Sequence, residues 1–134
     1  MNPVLLAITL GAGFVARAFS SDTEQLKETM EAAIKHKGYA LVDILQPCVS
    51  FNKINTHQWY KDRVYKLEEN YDSTNKLKAM EKAMEWGNKI PLGILYTEEK
   101  PDFHDKINFL KNGKPLVDSD FDLDKISGFM KDFQ

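Results

Sequence analysis

Cysteine is nearly missing from this chain: its 134 residues include one, Cys48. A single thiol makes no internal disulfide, and one thiolate cannot by itself complete a zinc or iron–sulfur site. That scarcity fits a reducing cytoplasm. An excess of one charge is missing too. Against 20 Asp and Glu stand 18 Lys and Arg, a formal net charge of −2. No basic patch stands out, so nucleic acid is not an expected partner. Long hydrophobic runs are also lacking. The apolar stretch from Val4 to Ala16 falls short of the roughly 20 residues of a membrane span, and no membrane association is expected. Repeats, low-complexity segments and clean linkers do not occur. What is left is ordinary globular material, 43% apolar and 28% charged, with the length of one domain.

The N-terminal stretch needs one more check. Ala16-Arg17-Ala18 mimics a signal-peptidase site. No basic segment precedes it, however, and cleavage there would delete a helix–strand pair that the rest of the chain needs. The stretch is read as part of the fold.

The elements follow from caps and periodicity. Asn2 caps a first helix and Pro3 suits its first turn. Val4–Leu10 is apolar all round, which predicts a buried helix. Gly11 and Gly13 end it, and Phe14–Phe19 reads as a short buried strand. Ser21 with Glu24 three residues on fits a capping box. The helix that follows, Thr23–Lys37, carries Leu26, Met30, Ala33 and Ile34 on one face and stops at Gly38. Tyr39–Leu45 is a second strand, apolar enough to be covered on both faces. Strand, helix and strand make a βαβ crossover, so the fold class is α/β: a parallel sheet with flanking helices. Beyond Val49 the chain turns polar and aromatic, with a helix expected near His57–Glu68. Thr74 is expected to cap another, with Leu77, Met80, Ala83 and Met84 inward and Gly87 as its stop. Ile90–Tyr96 is a third strand. A short helix from Asp102 to about Leu110, an Asn112-Gly113 turn and a helix over Leu123–Phe133 complete the expectation.

Four groups of residues could carry chemistry. Gly11-Ala12-Gly13-Phe14-Val15-Ala16 matches the G-x-G-x-x-A form of the dinucleotide fingerprint, with Asp43 placed where a ribose-binding acid would sit. That motif needs a strand before its glycines and a helix after them. The caps predict the reverse order, so a helix stop followed by a strand is the simpler reading. Asp118, Asp120, Asp122 and Asp124 are spaced like the start of a calcium loop. Counted from Asp118, though, Leu123 stands where the loop needs glycine and Phe129 where it needs glutamate. His36, His57 and His104 share no metal-ligand spacing, although His57 could pair with Cys48 for nucleophilic catalysis. Cys48 itself follows a strand and a proline, at the edge where α/β sheets bind ligands. It is either a small structural residue or one corner of a larger site.

The blocks Asn2-Pro3-Val4-Leu5-Leu6-Ala7-Ile8, Gly11–Arg17 and Ala40-Leu41-Val42-Asp43-Ile44-Leu45-Gln46-Pro47-Cys48-Val49-Ser50-Phe51-Asn52 occur in a specific order and spacing. Together they resemble the β subunit of 2-oxoacid:ferredoxin oxidoreductases, the family of the pyruvate and 2-oxoglutarate enzymes. Ile90–Tyr96 is similar to a strand near the end of the same subunit. The likeness is close from Asn2 to about Tyr96 and loose beyond. It implies a thiamine-diphosphate-binding α/β fold and oxidative decarboxylation of a 2-oxo acid to an acyl-CoA, with electrons passing to ferredoxin. Thiamine diphosphate, Mg²⁺ and a [4Fe-4S] cluster are the implied cofactors, and Cys48 matches the last of the four cluster ligands. The family's other three cysteines, its Gly-Asp-Gly … Asn motif and its Gly-Gly-Gln segment have no counterpart here.

The chain therefore reads as the C-terminal half of a β subunit. Residues 1–99 would complete a thiamine-diphosphate-binding domain, and 100–134 would form a tail with one or two short helices. The isolated chain is expected to bind no cofactor and to be inactive. Its expected partners are the α subunit, the missing N-terminal half of the β subunit and ferredoxin, with self-association possible for the fragment alone. Two alternatives are a stand-alone, non-catalytic α/β binding module and a small dinucleotide-binding protein using Gly11 and Gly13.

Overall fold

In the computed structural model, residues 1–107 and 116–118 are described. The chain forms two compact units, Met1–Asp102 and Phe103–Gln134. The first begins with helix α1, Pro3–Leu10. Asn2 caps it by accepting a hydrogen bond from the Leu5 amide, and Gly11, at φ 88°, closes it in the left-handed conformation. Strand β1, Phe14–Phe19, follows and is buried along its whole length. Helix α2 spans Thr23–Lys35 and strand β2 spans Ala40–Leu45. Then come α3, His57–Lys61; β3, Val64–Lys66; α4, Lys76–Met84; and β4, Ile90–Thr97.

The sheet order is β2-β1-β4-β3. β1 and β2 are parallel, β3 and β4 are parallel, and β1 meets β4 antiparallel. The sheet is thus mixed, which corrects the expected parallel sheet. The cause is the short α3. No crossover helix carries the chain back after β2, so it re-enters the sheet from the end it has just left. β3 consequently runs against β1 and β2, and α4 then supplies the crossover to β4. Two βαβ units sit side by side, opposed in direction. A register shift between Val15 and Ala16 accommodates the seam.

β1 shows how the two faces are used. Phe14 packs its ring against His36, at the end of α2, with centroids 5.5 Å apart. Val15 joins Val4, Ile8, Ala79, Ala83 and Leu95 in a core under α1 and α4. Asn2 donates a 2.7 Å hydrogen bond to the Ala83 carbonyl and ties those two helices together. A second cluster gathers Phe19, Leu45, Ile90 and Leu92 near α3, with Trp59, Tyr60 and Val64 against it.

Several local expectations need correction. Asp22, not Ser21, caps α2, accepting a hydrogen bond from the Gln25 amide. The inward face of α2 is polar. Gln25 and Thr29 are buried because Gln25 donates to the Arg17 carbonyl and to the Thr29 hydroxyl, while Met30 and Ile34 stay exposed. α1 buries one side only, leaving Leu6 and Leu10 exposed. β2 is an edge strand with half-buried residues, not a strand covered on both faces. Asn75, not Thr74, caps α4, which turns Ala79 and Ala83 inward and leaves Leu77 and Met84 exposed. The expected helix over His57–Glu68 is cut short at Lys61, and β3 occupies part of that span.

In the second unit the described residues form a helix, Phe103–Lys106 (α5), and a 3₁₀ turn, Leu116–Asp118. The Asn112-Gly113 turn, the helix at Leu123–Phe133, and Asp120, Asp122 and Asp124 lie outside the described residues.

Candidate functional site

The loop after β2 presents the thiol. Pro47 is buried and ends the strand; Cys48, next to it, is exposed. A turn then folds the backbone over the sulfur. The Phe51 amide donates to Cys48 Sγ at 3.5 Å, and the Asn52 amide donates to the Cys48 carbonyl at 3.1 Å. The Asn52 side chain holds the far side of the turn, its Oδ1 accepting from the amides of Ile54 and Asn55 at 3.1 and 2.9 Å. Backbone N–H groups of Phe51, Ser50 and Asn52 favour the thiolate and hold the thiol below its ordinary pKa. Val49, Phe51 and Ile54, in the same loop, are exposed.

An exposed sulfur held toward its anionic form is a soft donor suited to iron or zinc. It fits such a site as one ligand. Among the described residues no group of three or more His, Cys, Asp and Glu is placed to hold a metal ion. The remaining ligands would have to come from elsewhere.

The histidines do other work. His57 Nδ1 lies 2.8 Å from the Ser21 hydroxyl, and its ring packs on Phe19. The Cys48–His57 pairing for nucleophilic catalysis is therefore not formed. His36 follows α2 against Phe14, and His104 lies in α5.

The glycine loop is not a nucleotide cradle. A helix precedes Gly11 and a strand follows Gly13, the reverse of the order the fingerprint needs. Lys100 Nζ caps the loop by bonding the Gly11 carbonyl at 2.8 Å. A Cβ at Gly13 would stand 2.7 Å from His36 Nε2 and 3.0 Å from the Glu98 carbonyl oxygen, so a side chain there would force its neighbours to shift. The dinucleotide reading of Gly11 and Gly13 is set aside on this geometry. Asp43, its supposed ribose acid, is already engaged by Arg17 Nε at 2.9 Å.

That ion pair is a feature the sequence reading missed. Arg17 lies within the fully buried β1, is 1% exposed, and sits opposite Asp43 in the register. Trp86 covers the guanidinium, its ring centroid 5.4 Å away. The signal available was an Arg–Asp pair at matching positions of two adjacent parallel strands.

Comparison with known proteins decides the family. A model of the C-terminal region of the pyruvate ferredoxin oxidoreductase beta subunit matches residues 48–112, beginning at Cys48. A 2-oxoacid:ferredoxin oxidoreductase subunit beta from Sulfolobus sp is 44% identical over 119 residues, covering 80% of this chain and 39% of that one. The subunit beta of 2-oxoacid:ferredoxin oxidoreductase 1 from Aeropyrum pernix is 41% identical over 138 residues, 95% of this chain and 43% of the relative. The chain belongs to the β subunits of the 2-oxoacid:ferredoxin oxidoreductases. It spans less than half the length of these relatives. A solved 2-oxoglutarate:ferredoxin oxidoreductase from Magnetococcus marinus, with 2-oxoglutarate, coenzyme A and succinyl-CoA bound, superposes with a TM-score of 0.76 at 35% identity. That match takes in 96% of this chain and 44% of the other. No helix among the described residues is long and apolar enough to cross a membrane.

Proposed function

We propose that this chain is the C-terminal part of the β subunit of a 2-oxoacid:ferredoxin oxidoreductase, and that Cys48 supplies one of four thiolates to a [4Fe-4S] cluster. The observation that carries the proposal is the turn at residues 48–52. It leaves the thiol exposed and aims the Phe51 amide at its sulfur. Amide hydrogen bonds to a ligating sulfur are among the levers that set a cluster's potential. Bound there, such a cluster takes up and passes on electrons one at a time. The contribution of this chain is to hold the sulfur toward its thiolate form on a loop anchored by the buried Leu45 and Pro47.

Oxidative decarboxylation of a 2-oxo acid to an acyl-CoA, with electrons going to ferredoxin, is the activity of the complete assembly in this reading. Thiamine diphosphate and Mg²⁺ are held by parts of the β subunit outside this chain, and the enzyme is made whole by the α subunit. The isolated chain binds none of these groups and is inactive. Iron analysis and thiamine diphosphate titration of the purified chain test this: stoichiometric binding of either would overturn it. Joined to the remaining part of a β subunit, the chain should restore a cluster signal in electron paramagnetic resonance that Cys48→Ser weakens or abolishes. A signal unchanged by that substitution removes Cys48 from the ligand set.

A further inference from the structure

One end of the sheet is assembled from parts of the chain far apart in sequence. β1 and β2 finish there, β3 and β4 begin there, and the Cys48 loop, α3 and the turn before β4 adjoin it. Four cations collect at this end. Lys53 Nζ reaches the carbonyl of Val49, the residue after Cys48, at 3.4 Å. Lys61 ends α3, and Arg63 lies over the Trp59 ring. The Ile90 amide donates to the Arg63 carbonyl at 2.9 Å, which sets Lys89 beside it. Lys53, Lys61 and Lys89 are exposed. Among the described residues none of the four cations forms an ion pair. Most acids of the same end are engaged. Asp22 holds Lys66, Glu85 holds Lys82, and Asp62 accepts from the Gln58 side-chain amide at 2.6 Å, leaving Glu24 exposed. The cations stand singly along the sequence, so no basic run marks them there; the fold brings them together.

The same segments carry exposed apolar side chains. Phe51 and Ile54 lie in the Cys48 loop and Trp86 in the turn before β4. Trp86 meets Tyr60 edge-on at 6.5 Å, and Tyr60 meets Trp59 at 5.0 Å, so the aromatic rings form one connected group. Aromatic residues with Arg among them, beside unpaired charge of one sign, are the make-up of a docking surface. Positive charge selects an acidic partner. The nearness of Cys48, the candidate ligand of an electron-passing cluster, selects a carrier of electrons. Such complexes are small, below about 1,200 Å², and use complementary charge to speed encounter more than buried area to prolong it. We propose that an acidic one-electron carrier protein docks at this end of the sheet, steered by Lys53, Lys61, Arg63 and Lys89 and contacting Phe51, Ile54 and Trp86. The proposal rests on the β-subunit reading above and adds, to the ferredoxin of that reading, the surface that receives it.

The test uses a chimera in which this chain replaces the matched part of the Aeropyrum pernix β subunit, co-expressed with its α subunit, and the ferredoxin of that organism. Lys53→Glu, Lys61→Glu and Lys89→Glu together should lower kcat/KM for ferredoxin, taken relative to the rate with methyl viologen, at least about tenfold. The same reversal at Lys35 and Lys37, at the other end of the sheet, should change that ratio less than about twofold. Added salt should weaken the parent's reaction with ferredoxin and leave the triple variant nearly indifferent. Calorimetric titration of ferredoxin into the assembled chimera repeats the comparison as a Kd and needs no turnover. A triple variant that matches the parent in both readouts overturns the proposal. Lysine acetylation checks that the surface is free. Lys53, Lys61 and Lys89 should react with N-hydroxysuccinimide acetate in the assembled chimera and become protected when ferredoxin is added. Protection before ferredoxin is added overturns the proposal too, because the α subunit or the rest of the β subunit would then cover this end. The cluster signal is read separately. A cluster that depends on Cys48, with ferredoxin binding indifferent to the lysines, leaves the β-subunit reading standing without this surface. Lysine-dependent ferredoxin binding without a cluster does the reverse.

Discussion

The two edges of the sheet are built in opposite ways. β3 is three residues long and ends on Lys66, whose ammonium pairs with Asp22 at 2.9 Å. Just before it, Arg63 stacks on Trp59, 4.3 Å from the ring centroid, and donates to the Trp59 carbonyl. Short length and fixed charge are the means by which proteins keep an edge from pairing. β2 is six residues long and almost wholly apolar, and its one charge, Asp43, is turned inward to Arg17. Among the described residues, one edge carries fixed charge and the other is apolar and uncovered. The lesson is that an exposed apolar residue gains meaning from its neighbours. Leu77 on α4 is a scattered surface residue of the ordinary kind, whereas Ile34, Leu10 and Ile44 surround one open strand.

The most severe way to break the contrast is to detach β2 from β1. Asp43→Ala leaves a buried guanidinium without its carboxylate and should cost about 3–5 kcal/mol of unfolding free energy. Replacing both members, Arg17→Met with Asp43→Leu, should recover most of that loss, because removing a buried pair together is often close to neutral. Denaturant titration of the three proteins checks this. A cost below about 1 kcal/mol for Asp43→Ala would mean that the pair does not hold the strand.

Exchanging the character of the edges should exchange their behaviour. In the isolated chain the exposed apolar side chains on and beside β2 are predicted to drive weak self-association, and Ile44→Lys should shift the species seen by light scattering toward monomer. Lys66→Ile should do the opposite at β3, raising association by removing the charge that guards it. An isolated chain that is already monomeric at high concentration would show that β2's open side is not adhesive.

Much of this contrast was invisible from the sequence. The α1–β1–α2–β2 order was legible because it is written in local signals: Asn2 and Pro3, Gly11, the capping signal around Ser21 (which misplaced the cap by one residue, onto Ser21 rather than Asp22), and Gly38. The direction of β4 was not, because it depends on how α3 returns the chain, and no local residue encodes that. β3 was hidden within an aromatic, polar stretch whose spacing also suits a helix. Periodicity did mark Leu26, Met30 and Ile34 as one face of α2, but it could not say what would cover that face. Gln25 and Thr29 turned inward instead, since the β1 backbone offers Gln25 hydrogen bonds that no apolar residue could make. Cys48 was legible as a candidate from its place after Gln46-Pro47. The amides that favour its thiolate became visible only in the turn.

A smaller effect separates the cap on α2 from the ion pair that guards β3. Asp22 does both jobs, accepting from the Gln25 amide and pairing with Lys66. Asp22→Ala should cost about 1 kcal/mol through the lost cap, and Asp22→Asn, which still caps, should cost less. The Lys66 ammonium first, then the Gln25 amide, holds the Asp22 carboxyl below its ordinary pKa. A carboxyl depressed by folding stabilises the fold above its unfolded pKa and stops doing so as pH falls through the lower, folded value. The contribution of Asp22 should therefore be complete near neutrality and be lost only below about pH 4. Acid titration of Asp22→Asn against the parent should show the two curves converging in that range.

The least costly change lies at the thiol. The Phe51 amide, then that of Ser50, favours the anion, so Cys48 should react with iodoacetamide at a pH below the ordinary thiol midpoint of about 8.5. Asn52→Ala frees the amides of Ile54 and Asn55 from its side chain and loosens the turn. The alkylation midpoint should move up toward the ordinary value, with global stability almost unchanged. An unshifted midpoint would show that the short turn of backbone, not Asn52, fixes the amides over the sulfur. A parent midpoint already at the ordinary value would remove the thiolate bias on which a ligand role for Cys48 depends.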